Sequence, residues 1–187
     1  MKKFLVLPLL LPFSANAFES RGTAQNYAEA KRAASFLKFE YPVRKLFFGA
    51  MEDGYVTKFI ATAKIDGHRL IGPRVEFEAH DLDTDIFQRN DILWNKCLSY
   101  KEFPKLRVTI PPTEFTEGVP VRVNATMNIR GKDKPLVLEL TMTKENGKWV
   151  AVGKALSSFD SLGIPDPSIG VAAVKGPIEL TFRLLDQ

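Results

Sequence analysis

The side chains with catalytic or metal-binding chemistry are few and scattered in this chain. Its 187 residues contain two histidines, His68 and His80, and one cysteine, Cys97. No His-x-x-x-His pair and no Cys/His cluster occurs, so the sequence offers no standard zinc site. A mixed site formed by the histidines and neighbouring acids is the weaker alternative. We therefore expect neither a resident metal nor a cofactor.

The acidic run after His80 resembles a calcium-binding loop only at its start. Asp81, Asp83 and Asp85 alternate with other residues, but the loop's glycine at position six and glutamate at position twelve are missing. We expect a solvated loop here. The chain also lacks a G-x-S-x-G segment and a glycine-rich phosphate loop. This inventory predicts a binding protein rather than an enzyme.

Cys97 is the remaining group with chemistry of its own. A lone cysteine cannot form an internal disulfide, so the apolar core must stabilise the fold. If the thiol were exposed and its pKa lowered, it would suit redox chemistry or pairing with a second chain. The simpler interpretation, which we favour, is a buried small apolar side chain.

The composition indicates one globular domain with an aromatic-rich interior. Hydrophobic residues make up 45% of the chain, charged residues 26%, and phenylalanine alone occupies 14 positions. These rings suit either a wide apolar binding site or a well-filled core. The net charge of +4 includes Lys2 and Lys3, and the other basic residues are scattered. Nucleic acid is therefore not an expected partner.

The N-terminus has the pattern of a secretory signal peptide over residues 1–17. Two lysines precede an apolar run over residues 4–13, and Ala15-Asn16-Ala17 is a small-x-small cleavage site. The run is shorter than the roughly 20 apolar residues that span a bilayer. We predict a mature chain that starts at Phe18, a single domain over residues 18–187, and a periplasmic location.

The mature chain alternates apolar and polar residues in many short segments, which predicts an all-β antiparallel fold. Residues 121–130 form the clearest strand, and Asp53-Gly54, Asp66-Gly67 and Asn146-Gly147 have the composition of turns. Residues 18–34 are interpreted as a short helix or a frayed start, and residues 81–103 as a loop with helical turns. The result is about eight strands with a short helical segment, in a barrel or a sandwich.

One face of these strands carries large apolar side chains that are candidates for lining a ligand site. They are Phe39, Tyr41, Phe59, Phe77, Met127, Ile129, Leu138, Leu140, Leu180 and Phe182. Alternation shows which residues share a face but does not distinguish a lined cavity from a solid core. Candidates for contacting a polar headgroup near a mouth are Trp94, Arg89 and Tyr100.

Three stretches, taken together and in order, resemble the YceI-like family. They are residues 75–93, which contain Leu82-Asp83-Thr84 and Arg89; residues 125–140, a strand–Gly–Lys-Pro–strand hairpin; and residues 159–184, which contain Leu162-Gly163-Ile164. The resemblance covers the chain from about residue 35 to its end. The sequence departs from the family pattern at Asn90 and Ile92, where aspartate and histidine are common.

This resemblance implies a lipocalin-like β-barrel, closed at one end, that holds a long isoprenoid such as a quinone or a polyprenyl lipid. An eight-stranded barrel is just wide enough for one slender ligand. We expect a carrier for an isoprenoid or fatty-chain lipid, with transient membrane contact. A homodimer is expected only from the frequency of dimers among soluble proteins. The alternatives are a stress or interaction protein that acts through its surface with a filled barrel, and a small redox enzyme that uses Cys97.

Overall fold

The computed structural model describes residues 16–45, 48–168, 170, 172–174 and 176–187. The strands in these ranges are β1 (Asn16–Thr23), β2 (Phe36–Lys45), β3 (Phe48–Val56), β4 (Lys58–Asp66), β5 (Arg69–Glu78), β6 (Leu82–Asp83), β7 (Lys105–Thr109), β8 (Thr113–Glu114), β9 (Val121–Ile129), β10 (Lys132–Glu145), β11 (Lys148–Ser157), β12 (Ala172–Val174) and β13 (Ile178–Leu185). The helical segments are α1 (Tyr27–Arg32), a 3₁₀ turn (Ala79–Asp81), α2 (Phe87–Asp91), a π-helical segment (Ile92–Cys97) and α3 (Phe159–Leu162). Most of the predicted signal peptide, residues 1–15, lies outside the described residues.

The all-β prediction is confirmed, although the described strands outnumber the eight expected. They pair antiparallel in one curled sheet, a lipocalin-like half-barrel, in the order β1-β4-β5-β7-β9-β10-β11-β13-β2-β3-β6. The C-terminal residues after β13 form hydrogen bonds with β1. The Gln187 N–H donates to the Glu19 carbonyl at 3.0 Å, and the Glu19 N–H donates to the Asp186 carboxylate at 3.0 Å. These bonds satisfy backbone groups at an otherwise open edge.

Two of the three predicted turns are confirmed and the third is wrong. Gly67, Asn146 and Gly147 have φ values of 57°, 51° and 80°, the left-handed conformation that tight hairpin turns require. Asp53 and Gly54, in contrast, lie inside β3 and pair with β2. A glycine is present at position 54 because the Phe39 ring of the opposite strand lies over it.

The interpretation of residues 18–34 is correct only for their second half. α1 begins after Asn26, whose side chain accepts a hydrogen bond from the Glu29 N–H at 3.0 Å. The residues before it form β1, which pairs with β4 along its whole length. The buried face of β1 includes Ser20, which is 0% exposed and whose hydroxyl donates to the Ser35 hydroxyl at 3.1 Å. Because Ser20 on the inner face is polar, the sequence of β1 lacks the apolar–polar alternation that identifies a strand.

The apolar alternation predicted for β9 and β10 is present in the packing, with their inward residues buried in a single core cluster. We call the end of the half-barrel that holds Phe115 and Trp149 the closed end, because aromatic rings pack together there. There the Phe115 ring packs edge-on against Trp149, with centroids 5.4 Å apart, and against His68 at 5.9 Å. At the opposite end lie α2, α3 and the π-helical segment. No helix in the described ranges is both long and apolar enough to span a membrane.

Candidate ligand-binding cavity

The curled sheet encloses a long apolar cavity of about 300 Å³. A cavity needs about 10–15 Å³ to hold one water molecule, and the binding sites of small molecules start at about 300 Å³. The β10 part of the wall runs from Leu136 to Met142, which corresponds to roughly 20 Å at about 3.4 Å per residue. The cavity is thus shaped for a long and slender apolar group.

Several inward-facing side chains are only half-buried although they pack against the core. Leu37, Phe77, Val108 and Phe182 belong to this group, and all four lie on the cavity wall. Side chains inside a close-packed core lose nearly all of their accessible surface, whereas side chains that border a cavity keep part of it. Their half-burial agrees with a lined cavity and disagrees with a solid core.

Nine of the ten predicted lining residues lie on the cavity wall. They are Phe39, Tyr41, Phe77, Met127, Ile129, Leu138, Leu140, Leu180 and Phe182. Phe59 does not lie on the wall: it is 3% exposed, its ring covers Gly22 of β1, and it fills the core. Contact of the nine with a ligand stays a prediction.

The cavity stays open beside its largest rings because these rings lie over glycines. Phe39 stands opposite Gly54 in the β2–β3 pairing, and Phe182 stands opposite Gly153 in the β11–β13 pairing. A Cβ added to Gly54 would lie 2.6 Å from one ring carbon of Phe39 and 2.9 Å from another. The missing side chain therefore lets each ring lie against the sheet rather than across the cavity.

A charged pair faces the cavity at the end covered by α2. Arg89 of α2 lies with its Nη1 atom 2.7 Å from the Glu52 Oε2 atom of β3. Tyr41 pairs with Glu52 across the β2–β3 ladder, and its pKa is raised, chiefly by burial, with Arg89 acting in the opposite direction. All three line the wall. We call Tyr41, Glu52 and Arg89 the polar mouth.

Of the three headgroup candidates, only Arg89 is on the wall. The Trp94 indole N–H donates to the Leu82 carbonyl at 2.9 Å, and its ring stacks on His80 with centroids 3.9 Å apart. Tyr100 packs against the same histidine at 5.3 Å. Trp94 and Tyr100 therefore brace the helical segments outside the cavity. The sequence pattern gives no signal for Glu52, because apolar and polar residues do not alternate along β3 and the adjacent Asp53-Gly54 has the composition of a turn.

A buried hydrogen-bond network holds α2, and with it Arg89, in place. The Asn90 side-chain oxygen accepts from the Thr84 N–H at 2.8 Å and from the Thr84 hydroxyl at 2.7 Å. The Asn90 amide donates to the Asp83 carboxylate at 2.8 Å. Asp83 pairs with Tyr55 at the end of β3, so the network ties α2 to the strand that carries Glu52.

Cys97 lies on the cavity wall and is 1% exposed, as expected for a buried apolar side chain. Burial raises the pKa of its thiol to about 11, while the nearby Lys96 and Arg130 oppose the shift. The thiol is therefore protonated near neutral pH, which disfavours nucleophilic or redox chemistry at this position. Within the described ranges, no three histidine, cysteine or acidic residues group closely enough to hold a metal ion.

Comparison with known proteins identifies the family. The model of the YceI-like domain matches residues 29–183. A search of curated proteins finds no match. Similar solved structures include a polyisoprenoid-binding domain from Saccharophagus degradans implicated in plant cell wall breakdown, with 14% identity, a TM-score of 0.65, and coverage of 92% of this chain and 100% of that one.

Two further structures show the same fold. BcnA of Burkholderia cenocepacia is 14% identical, with a TM-score of 0.65 over 82% of this chain and 96% of that one. A YCEI protein of Campylobacter jejuni is 13% identical, with a TM-score of 0.54 over 72% and 84%. Because the family model spans residues 29–183, most of the sequence, this chain belongs to the YceI-like family.

Proposed function

We propose that the mature protein binds one long amphiphilic lipid, an isoprenoid or a similar chain, in its cavity and carries it through the periplasm. The observation that carries this proposal is the apolar cavity of about 300 Å³, walled by strands around the half-barrel. Each Å² of apolar surface removed from water contributes about 25 cal/mol, so an extended chain gains affinity along its length. The signal-peptide pattern of residues 1–17 supports export.

The position of the polar mouth favours an amphiphile over a plain hydrocarbon. A tail in the apolar slot would place a polar or charged headgroup beside Tyr41 and the Glu52–Arg89 pair. Arginine offers several donors to an oxygen-rich headgroup, and the tyrosine hydroxyl both donates and accepts. The description of the Saccharophagus degradans relative as polyisoprenoid-binding supports the isoprenoid class. A surface-acting protein with a filled barrel would have no use for such a cavity.

The first test is native mass spectrometry of protein purified gently from a periplasmic extract, with lipid extraction of the same sample. We expect a polypeptide mass that starts at Phe18 and a stoichiometric adduct that extracts as a prenyl or other long-chain lipid. A bare polypeptide mass, together with no binding of added quinone or polyprenyl phosphate, would reject the carrier function and favour the surface-acting alternative.

A pair of adjacent substitutions tests whether the cavity is the binding site. Leu138→Trp places a large ring in the slot, whereas Val137→Trp places the same ring on the outer face of β10. We expect the first variant to lose most lipid binding and the second to keep it. Ligand at 100 times Kd should raise the free energy of unfolding by about 2.7 kcal/mol in the binding-competent proteins. Equal binding by both variants would place the lipid elsewhere.

A further inference from the structure

The two most exposed large apolar side chains of the described residues are phenylalanines. Phe48, the first residue of β3, is 79% exposed, and Phe87, the first residue of α2, is 72% exposed. Ile86, which precedes α2, is exposed as well. Large apolar groups that cluster on a surface mark sites of contact with other molecules. We call Phe48, Ile86 and Phe87 the apolar rim.

The apolar rim lies at the polar mouth. Phe48 lies four residues before Glu52, Phe87 lies two residues before Arg89, and the Glu52 and Arg89 side chains are 2.7 Å apart. Along β3, Phe48 shares a face with Glu52, because side chains two and four residues apart point to the same side of a strand. Phe48 therefore continues the inner wall of the cavity outward beyond the mouth.

The charge beside Phe48 is positive at the end of β2. This strand ends in the cations Arg44 and Lys45, and Lys45 pairs with Phe48 in the β2–β3 ladder, while the acid Glu52 is ion-paired with Arg89. Arg44 is exposed. On the other side, Asp85 and Asp91 flank α2, so the positive charge is confined to the end of β2 beside Phe48. Exposed aromatic rings next to cations are the composition that binds the interface of an anionic bilayer.

We propose that the apolar rim docks the protein on the surface of an anionic phospholipid bilayer, with Phe48 at the leading edge, so that a lipid passes between membrane and cavity through the polar mouth. This inference rests in part on the proposed function, since an insoluble ligand is exchanged with a membrane more readily than with water. A bilayer explains the rim better than a second copy of the chain, because the rim borders the polar mouth and a permanent partner there would block the path to the cavity.

The test is flotation of the mature protein with vesicles of phosphatidylethanolamine and phosphatidylglycerol, compared with vesicles of phosphatidylcholine alone. We expect binding to the anionic vesicles that weakens as salt is added. Phe48→Ser and Phe87→Ser should each weaken it about tenfold, the effect of withdrawing one ring from the interface, with the larger loss for Phe48→Ser. Val119→Ser, an exposed apolar residue in the loop before β9, at the closed end, should bind as the unmodified protein does.

A second measurement separates this inference from the proposed function. Quinone delivered from ethanol solution should bind the Phe48→Ser and Phe87→Ser variants normally, because neither ring is on the cavity wall, while transfer of quinone from vesicles should slow. Normal quinone binding without any vesicle binding would overturn docking and leave the carrier function intact. Vesicle binding without quinone binding would support docking and reject the carrier function. Sedimentation tests the other occupant, a second copy of the chain. If the unmodified protein is a dimer that does not bind vesicles, and the serine variants are monomers, the rim is a contact between copies and docking is overturned.

Discussion

At the scale of single residues, the cavity depends on the absence of a side chain at two glycines. Gly54 and Gly153 each face a phenylalanine that lies against the wall. The two positions differ in what surrounds them. The three atoms nearest to a Cβ on Gly54 would all belong to the Phe39 ring, which can swing away, whereas the nearest atom to a Cβ on Gly153 would be the backbone carbonyl oxygen of Glu139. Gly54 is therefore the position at which cavity shape can be changed without disturbing the sheet.

We expect Gly54→Ala to weaken lipid binding while the protein stays folded. The added methyl group pushes the Phe39 ring towards the cavity, and alanine in a strand offsets part of the strain because glycine there costs roughly 0.5–1 kcal/mol. Isothermal titration with a quinone and thermal unfolding measure the two effects. Gly49→Ala is the control, since its nearest neighbour would be the Val43 carbonyl at 4.0 Å. Unchanged lipid affinity in Gly54→Ala would show that the ring position does not limit the ligand.

At the scale of elements, α2 has too few residues to be stable by itself. It has five residues and no side-chain N-cap, and isolated helices shorter than about 12 residues are marginal. Its position depends on Asn90, which serves both Thr84 and Asp83. The family resemblance located this segment and Arg89 in the sequence, but the contact with Glu52 arises only when β3 and α2 pack together.

Asn90→Ala should destabilise the protein by about 1–3 kcal/mol, because the buried Thr84 N–H loses its acceptor. The same substitution at Asn95, whose amide donates to Asp91 on the exposed face of the helical segment, should change stability by less than about 0.5 kcal/mol. Urea unfolding of the two variants provides the comparison. If both substitutions cost the same, the network does not hold α2.

At the scale of the whole molecule, folding buries several weak acids in their neutral form. Burial raises the pKa of Cys97 to about 11, against an ordinary value of 9.0, and it also raises the pKa values of Tyr41 and Tyr55. The neutral forms are preferred in the folded state, so their stabilising contribution is complete below the unfolded-state pKa values. It is lost as the pH rises through the folded-state values.

The free energy of unfolding should therefore fall as the pH rises above 9.0, and Cys97 accounts for about 2–3 kcal/mol of the loss by the time the pH passes 11. Urea titrations across this range measure the slope. Cys97→Ala should be less stable than the unmodified protein at neutral pH but should lose less stability between pH 9.0 and 11. Parallel curves for the two proteins would show that the thiol ionises as easily in the folded state as in the unfolded chain.

The amino-acid sequence alone determined the local features of this protein. Alternation in β9 and β10, together with the turns at Asp66-Gly67 and Asn146-Gly147, identified an antiparallel all-β fold, because side-chain period and left-handed turn residues are properties of neighbouring positions. The order of three weak motifs identified the family. The same alternation located nine residues of the cavity wall, since a residue's face depends only on its place in its own strand.

The tertiary structure decided what stands across from each of those residues. Whether an inward ring meets another layer or a cavity depends on the curvature of the sheet, which no single strand encodes. Register placed Gly54 under Phe39 and Gly22 under Phe59, so a predicted turn became part of a strand and one predicted lining residue became core. Register and packing likewise brought Glu52 to Arg89. These contacts join residues far apart in the chain, and their geometry exists only once the sheet has closed around the cavity.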